Sequence, residues 1–155
     1  MQILCPAFNN GHSIPALYTC EGNDTNPPLE WIDVPSSAKS LALILDDPDV
    51  PSAVRKEKIY DHWVLYNIDP NTKSIPANCT TIGMQGKNTS GEVGYVGPCP
   101  PRQYTPTEHR YFFKLYALDQ MLDLDGGATK DEVESAMDGH ILAEAKLIGL
   151  YEKTK

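Results

Sequence analysis

Two separated segments carry the residues able to do chemistry. The first, Asp46-Asp47-Pro48-Asp49-Val50-Pro51, leads on to Asp61-His62-Trp63. The second, Gly94-Tyr95-Val96-Gly97-Pro98-Cys99-Pro100-Pro101, leads on to His109-Arg110-Tyr111. Each sets carboxylate or imidazole beside backbone stiffened by proline or freed by glycine, a composition that suits a small preorganised pocket. Asp47, His62 and His109 are compatible with three chemistries. Two imidazoles and a carboxylate hold a metal; a His–Asp pair moves protons; imidazoles, backbone amides and a tyrosine hydroxyl bind an anion, and Asp47 beside the two imidazoles is expected to raise their pKa and help. Residue type alone does not choose among them. Asp47 or Asp49 could equally close an Asx-turn at a strand end, and either histidine could be a hydrogen-bonded structural residue. Gly97 allows close backbone approach to a ligand, and Pro98, Pro100 and Pro101 form a rigid wall. No G-x-S-x-G or glycine-rich phosphate loop occurs. Cys99 with His109 leaves a Cys–His hydrolase open as an alternative, on condition of a lowered thiol pKa.

These residues border apolar runs that must position them. Ser40–Leu45 is continuously apolar after Ser40 and reads as a central strand covered on both faces, ended by Asp46-Asp47-Pro48. Trp63–Ile68 and Tyr111–Leu118 read as further strands, placing His62 just before one and His109 at the start of the other. Weaker strands are expected near Leu29–Ile32 and around Ile3. Thr129-Lys130-Asp131-Glu132 is a capping box opening a short helix through Val133, Ala136 and Met137, with Gly139 as its stop. From Ile141 to Tyr151 the period changes to alternation, which predicts a strand, with a continued helix as the alternative.

The chain has 155 residues, 41% hydrophobic and 22% charged, which fits one globular domain spanning 1–155. Thirteen prolines and 11 glycines cut it into short runs, as in an all-β domain with long loops. A formal net charge of -8 without any basic run disfavours broad contact with nucleic acid or anionic membrane. No apolar stretch is long enough for a membrane span, and the N-terminus has no signal-peptide pattern, so a cytoplasmic location is expected. The four cysteines, Cys5, Cys20, Cys79 and Cys99, have no zinc-ligand spacing. Free thiols are the expectation in a reducing cytosol; an oxidising compartment would permit a disulfide whose pairing the sequence does not give.

The blocks Asp47–Pro51, His62–Ile68, Gly94–Pro101 and His109–Tyr111 resemble the signature blocks of the phosphatidylethanolamine-binding protein family, above all its prokaryotic Raf kinase inhibitor-like branch. Tyr18–Gly22, Asn26–Trp31 and Gly139–Ala145 fit as well, so the resemblance covers nearly the whole chain. It implies an antiparallel Greek-key β-sandwich, mainly β, with a short C-terminal helix. It also implies a non-catalytic pocket for phosphate, acetate or a phosphoryl headgroup, without metal or cofactor. Carried over by position, the ligand-binding set is Asp47, His62, Gly97, Pro98, Cys99, Pro100, His109 and Tyr111, with Pro51 at the rim. Arg110 is expected to be a structural partner of nearby carboxylates. Members bind ligands or protein partners, some of them kinases or serine proteases, and the family suggests homodimers. Two departures reshape the expected pocket mouth: the long Arg102–Glu108 segment, and Asn88-Thr89-Ser90-Gly91 in place of the usual Asn-Asp-Phe-Gly.

Overall fold

A strand with no polar residue between Leu41 and Leu45 needs apolar cover on both faces, and the fold supplies it. The computed structural model describes residues Met1–Lys155. Strand β1 (Gln2–Leu4) pairs antiparallel with β2 (Leu29–Ile32), which pairs with β5 (Ser74–Ile75) in a small sheet. The large sheet contains β3 (Ser40–Asp47), β4 (Tyr60–Ile68), β6 (Met84–Gln85), β7 (Glu108–Leu118) and β8 (Ile141–Glu152), in the order β6-β4-β3-β7-β8, all antiparallel. Strands β3, β4 and β6 lie side by side in the large sheet, the chain passing through β5 of the small sheet between β4 and β6, and β7 returns to lie beside β3, which is a Greek key.

One face of β3 sends Leu41, Leu43 and Leu45 into the sandwich core with Ile3, Leu29 and Trp31 of the small sheet and Trp63, Leu65, Phe113 and Leu115 of the large one. Its other face sends Ala42 and Ile44 into a second cluster with Val64 and Tyr66, covered by Val133 and Met137. These last two belong to helix α1 (Lys130–Met137). The capping box is present: Thr129 Oγ1 accepts from the Glu132 amide and the Thr129 amide donates to Glu132 Oε1. Gly139, at φ 80°, turns the chain out of the helix. The helix therefore precedes the last strand rather than ending the chain, and Ile141–Glu152 is the strand that alternation predicted.

All three clearly predicted strands are longer than their apolar runs. β3 takes in Asp46 and Asp47, β4 starts at Tyr60, and β7 starts at Glu108. The ladder carries these polar ends, with Asp47 paired to Tyr60 and Glu108 to Glu152. Strand β8 has one further neighbour. Residues 10–14 lie along its far edge, where Gly11 donates to the Ile148 carbonyl, Ile14 to the Leu150 carbonyl, and Leu150 to the His12 carbonyl. No helix is long and apolar enough to cross a membrane.

Leu43 is fully buried at the centre of this arrangement. Leu43→Ala is expected to lower the unfolding free energy by about 2–5 kcal/mol, read as a fall in the urea midpoint at unchanged m-value.

Candidate functional site

Adjacent residues of a strand face opposite sides of its sheet, and Asp46 and Asp47 divide accordingly. Asp46 meets Lys114 at 3.0 Å and Lys130 of α1 at 3.4 Å, on the helix-covered face. Asp47 turns to the other face and accepts from His109 Nδ1–H, at 2.7 Å. Its second oxygen accepts the Asp49 backbone N–H at 2.7 Å, an Asx-turn that fixes the carboxylate as well as ending the strand. Asp49 in turn receives the Arg110 amide, Nε–H and Nη2–H at 2.8–2.9 Å. The Arg110 hydrogen bonds hold the Asp49 carboxyl below the usual carboxylate range, and Arg110 has the structural role expected of it.

His62 enters by a different device. Leu45 pairs with Trp63 and Asp46 with Asp61, so His62 is an extra residue at a β-bulge between those pairs. Bulges re-aim side chains at sheet ends. Here His62 Nδ1–H donates to the Val96 carbonyl at 2.7 Å, while the Val96 amide donates back to the His62 carbonyl. The ring lies between Tyr60, at a centroid distance of 4.7 Å, and Tyr111, at 5.3 Å edge-on.

Together these side chains floor a cavity of about 200 Å³ at one end of the large sheet. Its polar floor is Asp47, His62, His109 and Tyr111, and Val50, Val54, Tyr60, Val96, Pro100 and Pro101 give it apolar walls. The floor is buried: His62, His109, Asp47 and Tyr111 are each no more than 5% exposed. Two of its buried polar atoms, His109 Nε2 and the Tyr111 hydroxyl, have no hydrogen-bond partner. Buried polar groups are ordinarily hydrogen-bonded, so these two atoms are the cavity's candidates for contact with a ligand.

The electrostatics separate the two imidazoles. Burial disfavours the charged form of His109, but the hydrogen bond and charge of Asp47, aided by Asp49, outweigh it and raise its pKa above the ordinary histidine value. For His62 burial wins, despite Val96 and the Asp47 and Asp61 charges, and its pKa is lowered. Asp47 pulls both imidazoles upward as expected, but at His62, which has no direct carboxylate partner, burial outweighs it and the net shift is down. Burial and the Asp47 charge push the Tyr111 phenol far up, so it stays a neutral hydroxyl.

A family model described as phosphatidylethanolamine-binding protein matches residues 5–152. The chain belongs to the phosphatidylethanolamine-binding protein family. It is 50% identical to a UPF0098 protein of Methanothermobacter thermautotrophicus and 46% identical to one of Chlamydia trachomatis, with 99% of both chains covered in each case. A crystal structure of a phosphatidylethanolamine-binding protein homologue from Chlamydia trachomatis superposes with a TM-score of 0.93 at 46% identity, covering 98% of this chain and 97% of that one. Escherichia coli YbcL, described as a new member of the mammalian family, superposes with a TM-score of 0.86 at 27% identity, over 99% and 98% of the two chains.

In this family member the structure gathers seven of the nine anticipated positions around one cavity: Asp47, His62, Gly97, Cys99, Pro100, His109 and Tyr111. The other two lie outside its lining. Pro98 is buried and turns its carbonyl to the Cys20 amide, and Pro51 lines an adjoining depression shared with Gln103–Pro106. That depression is also where the Arg102–Glu108 segment contributes, and from it the Pro106 backbone helps raise the His109 pKa. Val50, Val54, Tyr60 and Val96 were missed as lining residues, while Pro101 takes its place in the wall as expected. Tyr60, directly before Asp61-His62, was the one a strand-end argument could have reached.

Two further readings are corrected. Cys99 is no free thiol: it forms a disulfide with Cys20, their Cα atoms 5.5 Å apart, while Cys5 and Cys79 remain free. The pairing joins residues 79 positions apart, and only the packing of residues 97–99 on residues 18–24 brings it about. The thiol needed by a Cys–His hydrolase is thereby committed. Asp47, His62 and His109 do not assemble as a group of ligands that could hold a metal ion. Finally, Gly97 lines the cavity, and its missing side chain also has a packing role. A Cβ there would lie 2.3 Å from Asp24 Oδ1 and 2.5 Å from the Tyr18 carbonyl oxygen.

Proposed function

We propose that this protein is a non-catalytic receptor for a small oxyanion: phosphate, or the phosphoryl group of a larger molecule. The observation that carries the reading is the pair of buried, unpartnered atoms, His109 Nε2 and the Tyr111 hydroxyl, in one cavity. Protonated His109 presents Nε2–H as a charged donor, Tyr111 presents O–H, and Asp47 balances the imidazolium from behind. Burial of the floor strengthens each contact by lowering the local dielectric. The apolar walls leave room for the uncharged remainder of a phosphorylated ligand.

The proton on His109 makes this binding pH-dependent. Its folded pKa is above the ordinary value of about 6.5. Below the folded pKa the charged donor is present. As pH rises through it, Nε2 loses its proton and an incoming anion meets Asp47 uncompensated. Titration calorimetry with sulfate, whose charge is constant from pH 5 to 9, is expected to show affinity falling roughly tenfold per pH unit above that pKa, with one proton taken up on binding. Affinity independent of pH, or no binding at any pH, would overturn the reading.

Stability of the unliganded protein responds in two opposed ways. The share from His109 is complete below about pH 6.5 and is lost as pH rises through the raised folded pKa. The share from His62, with its lowered pKa, is present above about pH 6.5 and is lost as pH falls through its folded value.

A further inference from the structure

We propose that the Cys20–Cys99 disulfide is a thiol-exchange site that controls the anion cavity, its reductant being a dithiol. The coupling to affinity rests on the anion-receptor reading; the exchange chemistry does not. The disulfide stands between two openings. On one side Cys99 lines the anion cavity. On the other, both cysteines line a crevice with Glu21, Lys153, Thr154 and Lys155. Both cysteine residues are exposed, which gives an incoming thiolate a path to the sulfurs. Lys153 and Lys155 bring positive side chains to the crevice, which favours the thiolates that attack and leave, while the Glu21 carboxylate is held by the Tyr151 hydroxyl and by Thr154.

The wall would not fall when the bridge opens. Residues 95–99 remain held to residues 18–24 by three hydrogen bonds. Tyr95 Oη–H donates to the Tyr18 carbonyl at 2.6 Å, the Gly97 amide to Asp24 Oδ1 at 2.7 Å, and the Cys20 amide to the Pro98 carbonyl at 3.1 Å. What is lost is the one covalent tie at Cys99, between the buried Pro98 and Pro100. Because the same stretch carries Val96, the acceptor of His62, loosening it also loosens an imidazole of the floor. Preorganisation is lost and affinity falls.

The step balances as an ordinary exchange. One thiolate of the dithiol attacks a sulfur of the bridge, the Cys20–Cys99 bond breaks, and a mixed disulfide forms with one cysteine released as thiolate. The second thiol of the reductant, deprotonated, then closes its own disulfide. Two electrons pass to the protein, and the two protons of the dithiol end on Cys20 and Cys99. In a reducing cytosol the open form would prevail, and in an oxidising compartment the bridged form.

The experiment uses the whole protein with dithiothreitol as the dithiol and sulfate as the anion. Thiol counting is expected to show two new thiols under conditions where far-UV circular dichroism is unchanged, and calorimetry is expected to show sulfate bound roughly three- to tenfold more weakly. Cys20→Ser should bind like the reduced protein and no longer respond to dithiothreitol. A bridge that opens only on unfolding, or equal affinity in the two states, overturns the proposal. If neither state binds sulfate, the anion reading fails separately. The exchange site is then judged by amide hydrogen exchange at residues 96, 97 and 99: faster exchange on reduction supports it, and unchanged exchange overturns it.

Discussion

Exchanging His109 for asparagine is expected to weaken sulfate or phosphate binding by roughly 10–100-fold while leaving the fold intact. The asparagine amide nitrogen stands near the former position of Nδ1 and can still donate to Asp47, whose bond from His109 is 2.7 Å long. Nothing in asparagine replaces Nε2, the unpartnered atom at the cavity. A charged hydrogen bond to the anion is lost, of a kind that contributes about 1.5–3 kcal/mol. His109→Ala serves as the contrast. It removes the same donor but also strands the Asp47 carboxylate, which is 3% exposed. Breaking a buried pair in this way costs on the order of 3–5 kcal/mol, so the alanine variant should lose thermal stability as well as affinity. Equal affinity in the asparagine variant and the parent, by calorimetry, would remove His109 from the site.

Gly97→Ala is expected to be the most damaging single-methyl change at the cavity. The added carbon would sit 2.3 Å from Asp24 Oδ1, 2.5 Å from the Tyr18 carbonyl and 3.0 Å from Thr19 Cα. Two of those three atoms belong to backbone and cannot rotate away. The chain around residue 97 must therefore lift off residues 18–24, stretching the Asp24–Gly97 hydrogen bond and moving Val96 away from His62. A stability loss of about 1–3 kcal/mol is expected from the overpacking, together with weaker anion binding. Thermal denaturation and calorimetry on the same preparation check both. A variant with parental midpoint and affinity would show that this wall gives way freely.

The sequence was legible where the physics is local. Ser40–Leu45 could be read as doubly covered because an uninterrupted apolar run has no face to show water, and α1 does cover its second face through Val133 and Met137. The capping box at Thr129 and the alternation from Ile141 were legible for the same reason. The ends of the strands were not. Asp46, Asp47, His62 and His109 look like loop residues by polarity, yet the ladder extends through them because partner strands of the right length lie alongside. The bulge that sets His62 apart leaves no mark in composition, since it is a mismatch between two strands rather than a property of one. Strands β5 and β6 are two residues each, too short to carry a period. The disulfide and the packing of Gly97 both depend on residues 18–24 meeting residues 97–99, a contact between distant segments that no local pattern encodes. The site residues were recognisable as a group through their resemblance to the family. Their division of labour, with one imidazole pushed up and the other down, came only from their partners and burial.

The strip formed by residues 10–14 along β8 has a consequence for the order in which the protein is made. Asn10 Oδ1 receives the amide of Ile148, 138 positions later in the chain. Strand β8 also completes the pairing of β7 from Glu108 to Leu118. During synthesis the N-terminal segment and the cavity strands leave the ribosome well before the strand that ties them together. Until β8 emerges, β7 presents an open edge and residues 10–14 have no strand to pair with, although β1 can already pair with β2. The chain is therefore expected to reach its native state only after β8 has been released, and to refold in milliseconds to seconds, as sandwiches dominated by distant pairings do.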